Sequence, residues 1–232
     1  MKNKIMPAVN GVIIIAIFIL NYFYQSNRFD FILKCICSGS FVLLGVINLC
    51  YAIITRQKDK KFYIGMTLGL ILAFLGDAVI NADFIIGAVA FALGHICFVV
   101  VYCFIQKPKK TDWLISGMFF LGCLIFLVFC PLLTFEVPIF RVVCIVYALI
   151  ISTMLGKAVG NYRREKNAVT GIIVIASALF FFSDLMLVFA WFIGLWSWTN
   201  HACMGTYYPA VCFLALSMFL NTIDKPYRRI KQ

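Results

Sequence analysis

The stretch from Ala168 to Ile193, AVTGIIVIASALFFFSDLMLVFAWFI, decides the class of this protein. It is long enough to cross the hydrocarbon core of a bilayer as one helix, which takes about 20 apolar residues. Its one charged residue is Asp184. A carboxylate inside the membrane costs roughly 2.5–3.5 kcal/mol even on lenient scales. Because that cost needs an offsetting interaction, Asp184 marks a candidate functional site.

A second acidic residue, Asp77, lies in a similar apolar stretch, LAFLGDAV at 72–79. Small and polar residues recur every four positions through this stretch: Gly65, Gly69, Ala73, Asp77 and Asn81. Such a stripe lets neighbouring helices approach closely and turns polar groups into a bundle. Two intramembrane carboxylates on separate helices therefore predict a shared polar pocket.

The composition of the chain is that of an integral membrane protein. Of its 232 residues, 64% are hydrophobic and only 12% are charged, which a soluble domain of this size does not show. The formal net charge of +11 would fit a nucleic-acid-binding protein, but the cations lie in short loops between apolar stretches. This placement encodes membrane orientation, so we expect the lipid bilayer as a partner and no nucleic acid.

Apolar stretches of helical length divide the chain into eight predicted transmembrane helices. The predicted spans are about 6–24, 31–54, 62–80, 84–105, 113–133, 138–158, 168–193 and 203–222. The connecting loops are short and leave no room for an appended soluble domain. Residues 1–232 are therefore expected to form a single transmembrane domain, an all-α bundle of eight helices.

The positive charges alternate between the two sides of this bundle. Most of the 20 cations fall on one side, in the segments 2–4, 56–61, 107–110, 157–166 and 225–231, and Arg28, Lys34 and Arg141 fall on or near the other. This asymmetry places both termini in the cytoplasm.

Helices 3 and 7 carry related segments, Ala73-Phe74…Gly76-Asp77 and Ala178-Leu179…Ser183-Asp184. Phe31…Cys35-Ile36 and Phe140…Cys144-Ile145 recur at a similar spacing. The pattern fits a duplication of four helices, a 4+4 repeat. Because four is even, both halves would have the same topology rather than the inverted one common in transporters.

The ten cysteines do not predict a disulfide framework or a metal site. Nine of them fall within or at the ends of apolar stretches, where a thiol behaves as a small hydrophobe, and only Cys203 is predicted to lie in a loop. No C-x-x-C pair is present and the two histidines are far apart in sequence. We expect no metal and no cofactor.

Ionisable side chains are predicted to converge on the outer half of the bundle. Besides the two aspartates they are Lys34, His95, Tyr147, Tyr207 and Tyr208. Each has a simpler explanation. The aspartates could be structural, hydrogen-bonded to helix ends or ion-paired with Lys34, and Lys34 could instead extend to the interface. His95 could be a packed, hydrogen-bonded histidine, and Tyr207 and Tyr208 could belong to the interfacial aromatic belt.

These segments resemble the YhhN-type lysoplasmalogenase family. The resemblance covers helices 2 to 8 and rests on Leu33-Lys34-Cys35, Gly76-Asp77-Ala78, Phe91…His95, Val146-Tyr147-Ala148-Leu149, Phe181-Phe182-Ser183-Asp184-Leu185, Thr206-Tyr207-Tyr208-Pro209-Ala210 and Ala215-Leu216-Ser217. Two positions depart from the family pattern. Val211 stands where the family often has Gln, and Phe98 where it often has Tyr.

The resemblance implies hydrolysis of the vinyl-ether bond of a lysoplasmalogen to a fatty aldehyde and a glycerophospho-alcohol, with a lysophospholipid as substrate. It implies that Asp77 and Asp184 are catalytic. Vinyl ethers are cleaved through protonation of carbon, so two carboxylates in different environments can divide the roles of acid and base. The residues leave open which aspartate takes which role.

The other polar residues are expected to assist the two carboxylates. His95 and the tyrosines would orient water or substrate, and Lys34 would meet the phosphate as a point charge.

Two other functions fit the same residues. A small proton-coupled lipid or solute transporter would use the aspartates as a proton relay, and a non-catalytic lipid-binding protein would bind substrate without turnover. The sequence leaves the oligomeric state and the headgroup open. The short loops and the lack of targeting signals favour a bacterial plasma membrane over the endoplasmic reticulum.

Overall fold

The computed structural model describes residues 5–27, 30–194 and 196–229. Regular structure in these ranges is entirely α-helical. The eight helices are α1 Ile5–Ser26, α2 Phe31–Ile54, α3 Lys60–Val79, α4 Phe84–Ile105, α5 Lys110–Phe129, α6 Pro138–Arg164, α7 Ala168–Phe192 and α8 Trp196–Arg229. Each is long and apolar enough to cross a membrane. The predicted all-α bundle of eight spanning helices is thereby confirmed, and the chain is a multi-pass membrane protein.

Polar side chains in the turns define where several helices begin. Asp30 accepts a hydrogen bond from the Leu33 backbone N–H at 3.0 Å at the start of α2. Asp83 accepts one from the Ile86 N–H at 2.9 Å at the start of α4. Both satisfy N–H groups that have no partner within the helix. The apolar stretches set the lengths of the helices, and these caps fix their first turns.

The helices pack mainly in consecutive pairs. α3 packs on α4, α5 on α6 and α7 on α8. α2 joins α3 to α8, and α4 and α7 both pack on α6. Among the described helices, α5 approaches only α6 at the level of the backbone. The bundle therefore has a firmly packed centre and one peripheral helix.

One end of the bundle gathers the loops 55–59, 106–109 and 165–167, and is called the cationic end below. Gln106 donates a hydrogen bond to Glu165 at 3.0 Å, which joins two of these loops. Lys58 and Asn167 line one surface cavity, which brings in the third loop. Of the cations used to predict orientation, Lys2, Lys4, Arg28 and Lys231 lie outside the described residues. The cytoplasmic position of the termini and the 4+4 repeat stay predictions.

Two helices are longer than predicted, and α5 ends at Phe129 instead of about 133. α6 continues to Arg164 instead of ending near 158 because Lys157, Asn161 and Arg164 find polar partners on neighbouring helices. α8 begins at Trp196 instead of 203. Cys203, predicted to lie in a loop, is a buried residue of this helix. The predictions followed the apolar stretches, whereas in α6 buried polar contacts extend the helix beyond its apolar stretch.

Candidate active site

Asp77 lies in the last turn of α3, in a cluster of polar side chains from three helices. Its Oδ1 is 3.0 Å from the Lys34 Nζ. Its Oδ2 accepts hydrogen bonds from Ser38 Oγ at 2.5 Å and from the Tyr208 hydroxyl at 3.4 Å. Asp77 and Lys34 each expose only 2% of their surface. Both carboxylate oxygens are thus engaged, and a buried ion pair holds α2 against α3.

The sequence places these partners by simple helical spacing. Lys34 and Ser38 are four residues apart on α2, so they share one face of the helix. Tyr208 comes from α8, which packs against both α2 and α3. Ser38 and Tyr208 also lie 3.3 Å apart through their hydroxyls. The Asp77 cluster is therefore a closed network.

Asp184 lies on α7 in a second cluster, with partners from α4 and α6. The Tyr147 hydroxyl donates a hydrogen bond to Asp184 Oδ2 at 2.8 Å. The His95 Nε2 lies 2.7 Å from the Tyr147 hydroxyl and 3.3 Å from the same carboxylate oxygen. His95 Nδ1 is buried and has no hydrogen-bond partner among the described residues. Asp184, Tyr147 and His95 thus form a triad with spare capacity for a proton or a polar ligand.

Aromatic packing holds this triad in place. The His95 ring packs edge-on against Phe180, with centroids 4.5 Å apart. It also contacts Tyr147 at 5.5 Å and Phe98 at 6.4 Å. Phe98 in turn fills the space left by Gly69, where an added Cβ would come within 2.4 Å of its ring. Phe98, where the family often has Tyr, therefore acts as a packed apolar neighbour of His95.

Tyr207 and Cys203 lie between the two clusters. The Tyr207 hydroxyl donates to the Ala73 carbonyl at 3.3 Å. The Tyr207 ring packs against Tyr208 at 5.1 Å and against Phe180, a neighbour of His95, at 5.3 Å. The Cys203 sulfur lies 3.4 Å from the hydroxyl of Ser183, the residue before Asp184. The clusters are thus separate hydrogen-bond networks that are joined by the aromatic packing around Tyr207.

An apolar cleft opens beside Asp184 but not beside Asp77. Residues from the end of α3 and from α4, α5, α6 and α7 line it, most of them aliphatic or phenylalanine. Its polar lining consists of Asp184, the Tyr147 hydroxyl and the thiols of Cys123 and Cys144. Asp77 does not line it. Asp184 and Tyr147 are therefore the members of the triad that a membrane-soluble ligand can reach, whereas His95 is buried and does not line the cleft.

An aromatic cluster lies at the end of the cleft remote from the cationic end. It consists of Phe84, Phe135, Phe140, Trp191 and Phe192. The Phe192 ring packs against Phe135 in a tilted pair at 4.5 Å and edge-on against Phe84 at 5.3 Å. The Thr134 backbone N–H and hydroxyl both donate to the Phe192 carbonyl, at 3.0 and 3.1 Å. The loop before α6 is thereby tied to the end of α7 over the cleft.

All seven predicted site residues lie in this region, but in two clusters instead of one pocket. The first holds Lys34, Asp77 and Tyr208, and the second holds His95, Tyr147 and Asp184, with Tyr207 between them. The ion pair between Asp77 and Lys34, one of the alternatives that the sequence left open, is present. Val211 is fully buried in α8.

Sequence reasoning missed Ser38 and a third buried carboxylate. Ser38 was detectable because it follows Lys34 by one helical turn. Asp112 on α5 binds the Arg164 guanidinium through both oxygens, at 2.5 and 3.0 Å, and lies 3.5 Å from Lys157. Lys157 and Arg164 were both counted among the loop cations but lie on α6, and Lys157 is buried. This cluster clamps α5 to α6 near the cationic end.

Within the described part of the chain, no group of three or more His, Cys, Asp or Glu side chains is placed to hold a metal ion. The chemistry that the region offers is proton transfer and electrostatics.

A search against protein-family models matches residues 32–218 to the YhhN family. The match covers more than half of the 232 residues.

The chain belongs to the YhhN family. The resemblance noted in the sequence is thereby confirmed, and every predicted site residue lies within the matched region, whereas α1 lies before it. No curated protein and no solved structure was found to match the chain. The assignment of roles to residues of this YhhN protein therefore rests on its own geometry.

Proposed function

We propose that this protein is a membrane-embedded hydrolase that cleaves the vinyl-ether bond of lysoplasmalogens to a fatty aldehyde and a glycerophospho-alcohol. Membership in the YhhN family supports this type of activity. The observation that carries the proposal is the position of Asp184. Its carboxyl lies at the wall of an apolar cleft, in contact with Tyr147 and His95. A reactive carboxyl beside an apolar cavity is what an acid-labile lipid ether requires.

Asp184 is the proton donor of the reaction. Its proton goes to the alkene carbon that is not bonded to oxygen, and the positive charge that develops on the other carbon is shared with the ether oxygen. Water then adds to the charged carbon and returns a proton to the carboxylate, which gives a hemiacetal. The hemiacetal then breaks its bond to the glycerol oxygen, and as its hydroxyl loses a proton and the glycerol oxygen gains one, the aldehyde and the alcohol are released. One carboxyl thus acts first as acid and then as base, as in glycoside hydrolysis.

Tyr147 and His95 position this carboxyl. Tyr147 donates to Asp184 Oδ2, so the other carboxyl oxygen remains available to carry the transferred proton. If the tyrosine hydroxyl donates to Asp184, the hydrogen on His95 Nε2 can point at the tyrosine oxygen. The Nδ1 of that tautomer accepts hydrogen bonds. His95 therefore orients the Tyr147 hydroxyl toward the carboxyl, while its own Nδ1 is buried and does not line the cleft.

Asp77 takes an electrostatic role. Its carboxylate is paired with Lys34 and does not line the cleft, so it has no direct access to the substrate. Tyr207 packs between Tyr208, which donates to Asp77, and Phe180, which contacts His95. The fixed negative charge of Asp77, partly offset by Lys34, favours the developing cation without reorganising. Lys34 keeps that carboxylate in place, and its pairing with Asp77 makes it a poor partner for the substrate phosphate.

Aldehyde release from a lysoplasmalogen by the detergent-purified protein tests the proposal. The Asp184→Asn variant should lose at least about a hundredfold in kcat, because a positioned general acid contributes roughly 10²–10⁴-fold. Asp83→Asn is the matched control. It makes the same substitution in a helix cap, where Asn serves as well as Asp, and should keep full activity.

The same experiment separates the rival functions. No aldehyde from the folded parent across ethanolamine and choline headgroups would overturn the hydrolase. Gradient-driven uptake or flipping of intact lipid by reconstituted protein would then identify a proton-coupled transporter. Binding without turnover or transport would identify a lipid-binding protein.

The charge asymmetry of the loops supports cytoplasmic termini, and the membrane we propose is a bacterial plasma membrane.

A further inference from the structure

We infer that the cleft beside Asp184 is the binding site for the hydrocarbon chain of the substrate, and that Ala88 and Ala148 determine which chains it admits. This inference rests on the proposed function and adds the substrate class that the site selects. The inference concerns how the hydrocarbon tail of the lipid is bound, whereas the proposed reaction concerns only cleavage of the vinyl-ether bond.

The lining of the cleft suits a chain and not a headgroup. Among the described residues that line it, none is a lysine or arginine, whereas recognition of a phosphate calls for cations or exposed N–H donors. The buried cation among the predicted site residues, Lys34, is paired with Asp77. A phosphate in the cleft would have to lose its hydration with no compensating charge, so the headgroup stays outside.

The carboxyl lies partway along the cleft. On α6 the lining runs from Val143 to Ile151, which the helical rise of about 1.5 Å per residue places about 12 Å apart. Tyr147, which donates to Asp184, lies midway between them. On α7 the lining extends to both sides of Asp184, from Phe181 to Val188. A chain lying in the cleft therefore passes directly beside the carboxyl.

The chain enters from the side, between α5 and α7. The aromatic cluster lies across the end of the cleft, and α5 reaches α7 through pairs of phenyl rings. Phe119 meets Phe181 with centroids 5.7 Å apart, and Phe126 meets Phe189 at 5.2 Å. Rotation of side chains is enough to part such contacts, since the backbones of these helices do not touch. A lipid tail already lies in the bilayer at this depth and needs no passage through water.

Two small residues leave the room that the chain occupies. Ala88 on α4 and Ala148 on α6 both line the cleft and are buried at 6% and 7% exposure. Neither contacts Asp184 through a hydrogen bond, so enlarging either one fills volume without removing a polar group. Val89 and Val146 are their counterparts on the outer surfaces of the same helices, exposed at 50% and 54%.

The first experiment compares Ala88→Leu and Ala148→Leu with Val89→Leu and Val146→Leu on lysoplasmalogens of short and long alkenyl chain. The cleft variants should raise KM for the long chain about tenfold or more and for the short chain much less, since the fit of a methylene changes selectivity about 10–200-fold. The control variants should stay within twofold of the parent. Equal effects of cleft and control variants, or no change in chain preference, would overturn the inference.

The second experiment uses the unaltered protein and does not depend on catalysis. Cys123 and Cys144 line the cleft, whereas Cys50 lies exposed on α2. A lysophospholipid with a saturated alkyl ether, which has no bond to cleave, should slow maleimide labelling of Cys123 and Cys144 but not of Cys50, as read peptide by peptide in a mass spectrometer. Uniform labelling of all three in the presence of the analogue would contradict the chain site.

The two experiments fail separately from the proposed function. If the parent releases no aldehyde but the analogue protects Cys123 and Cys144, the chain-binding site is supported and the proposed hydrolase activity is wrong. If the parent releases aldehyde but the analogue protects neither cysteine and the cleft variants do not change chain preference, the hydrolase activity is supported and the chain binds elsewhere.

Discussion

Asp77 and Asp184 lie at similar positions along their helices but have contrasting surroundings in the bundle. Each follows a small residue in the second half of an apolar helix that starts at the cationic end. Asp77 is enclosed, with both oxygens bound and Lys34 as counter-ion. Asp184 faces a cleft, with neutral or weakly basic partners on one oxygen.

The difference teaches that a membrane-buried carboxylate can be stabilised in two ways. Pairing with a cation offsets the desolvation of the charge but occupies the group. Neutral hydrogen bonds leave the group free to gain and lose a proton. The first arrangement favours a structural and electrostatic role and the second a reactive one. Substitutions that treat the two aspartates alike should therefore give different results.

The largest expected effect is on stability and belongs to Asp77. Asp77→Asn leaves the Lys34 ammonium buried without its counter-ion, which costs about 3–5 kcal/mol in the free energy of unfolding. Asp184→Asn retains an oxygen that accepts from Tyr147 and should cost only about 1 kcal/mol. Unfolding in mixed micelles, followed by circular dichroism, measures both. Equal losses for the two variants would contradict the contrast drawn between them.

A double substitution sharpens the same contrast. Adding Lys34→Met to Asp77→Asn removes the orphaned cation and should recover part of the lost stability, with a coupling energy of about 1–3 kcal/mol. Adding Lys34→Met to Asp184→Asn should give additive losses, because Lys34 and Asp184 share no hydrogen bond. A double-mutant cycle in the same micelles reports both couplings. Additivity in the Asp77 cycle would mean that the ion pair contributes little.

A packing change on the helix that carries Asp77 should disturb both clusters. In Gly69→Ala the new methyl group meets the ring of Phe98, which packs against His95. Overpacking of this kind costs about 1–3 kcal/mol, and the shift of His95 should also lower kcat. Gly117→Ala on α5 is the control, since nothing lies within 4 Å of its added Cβ. Retained activity in a destabilised Gly69→Ala would uncouple Phe98 from the triad.

The smallest effects compare two tyrosines that each donate to a carboxylate. Tyr147→Phe removes the hydrogen bond to Asp184 and the link to His95, and kcat should fall about tenfold, which corresponds to about 1.4 kcal/mol. Tyr208→Phe removes a 3.4 Å hydrogen bond to a carboxylate that keeps Lys34 and Ser38. Its kcat should stay within about threefold of the parent, the range of a weak hydrogen bond. Steady-state aldehyde release distinguishes them, and the reverse order would assign the reaction to Asp77.

The extension of α6 beyond its predicted end has a physical cause. An apolar stretch shows how much of a helix lies in hydrocarbon, but a helix continues wherever its polar side chains find partners. Arg164 was predicted to lie in a loop, and Lys157, at the end of the predicted helix, was counted with the loop cations. Asp112 on the neighbouring helix neutralises both inside the bundle. Asp112 is 45 residues from Lys157 in sequence, and the residues around Lys157 do not indicate this pairing.

The sequence by itself determined the eight-helix membrane class and the family, and it singled out seven polar side chains as a candidate site, because the bilayer sets the length of a helix and makes each buried polar group conspicuous. Only the tertiary structure decided which of these side chains meet. Lys34 faces Asp77 because α2 packs on α3, and Tyr147 faces Asp184 because α6 packs on α7. Helix neighbours are chosen by the fit of whole surfaces, and that choice separated the enclosed carboxylate from the one beside the cleft.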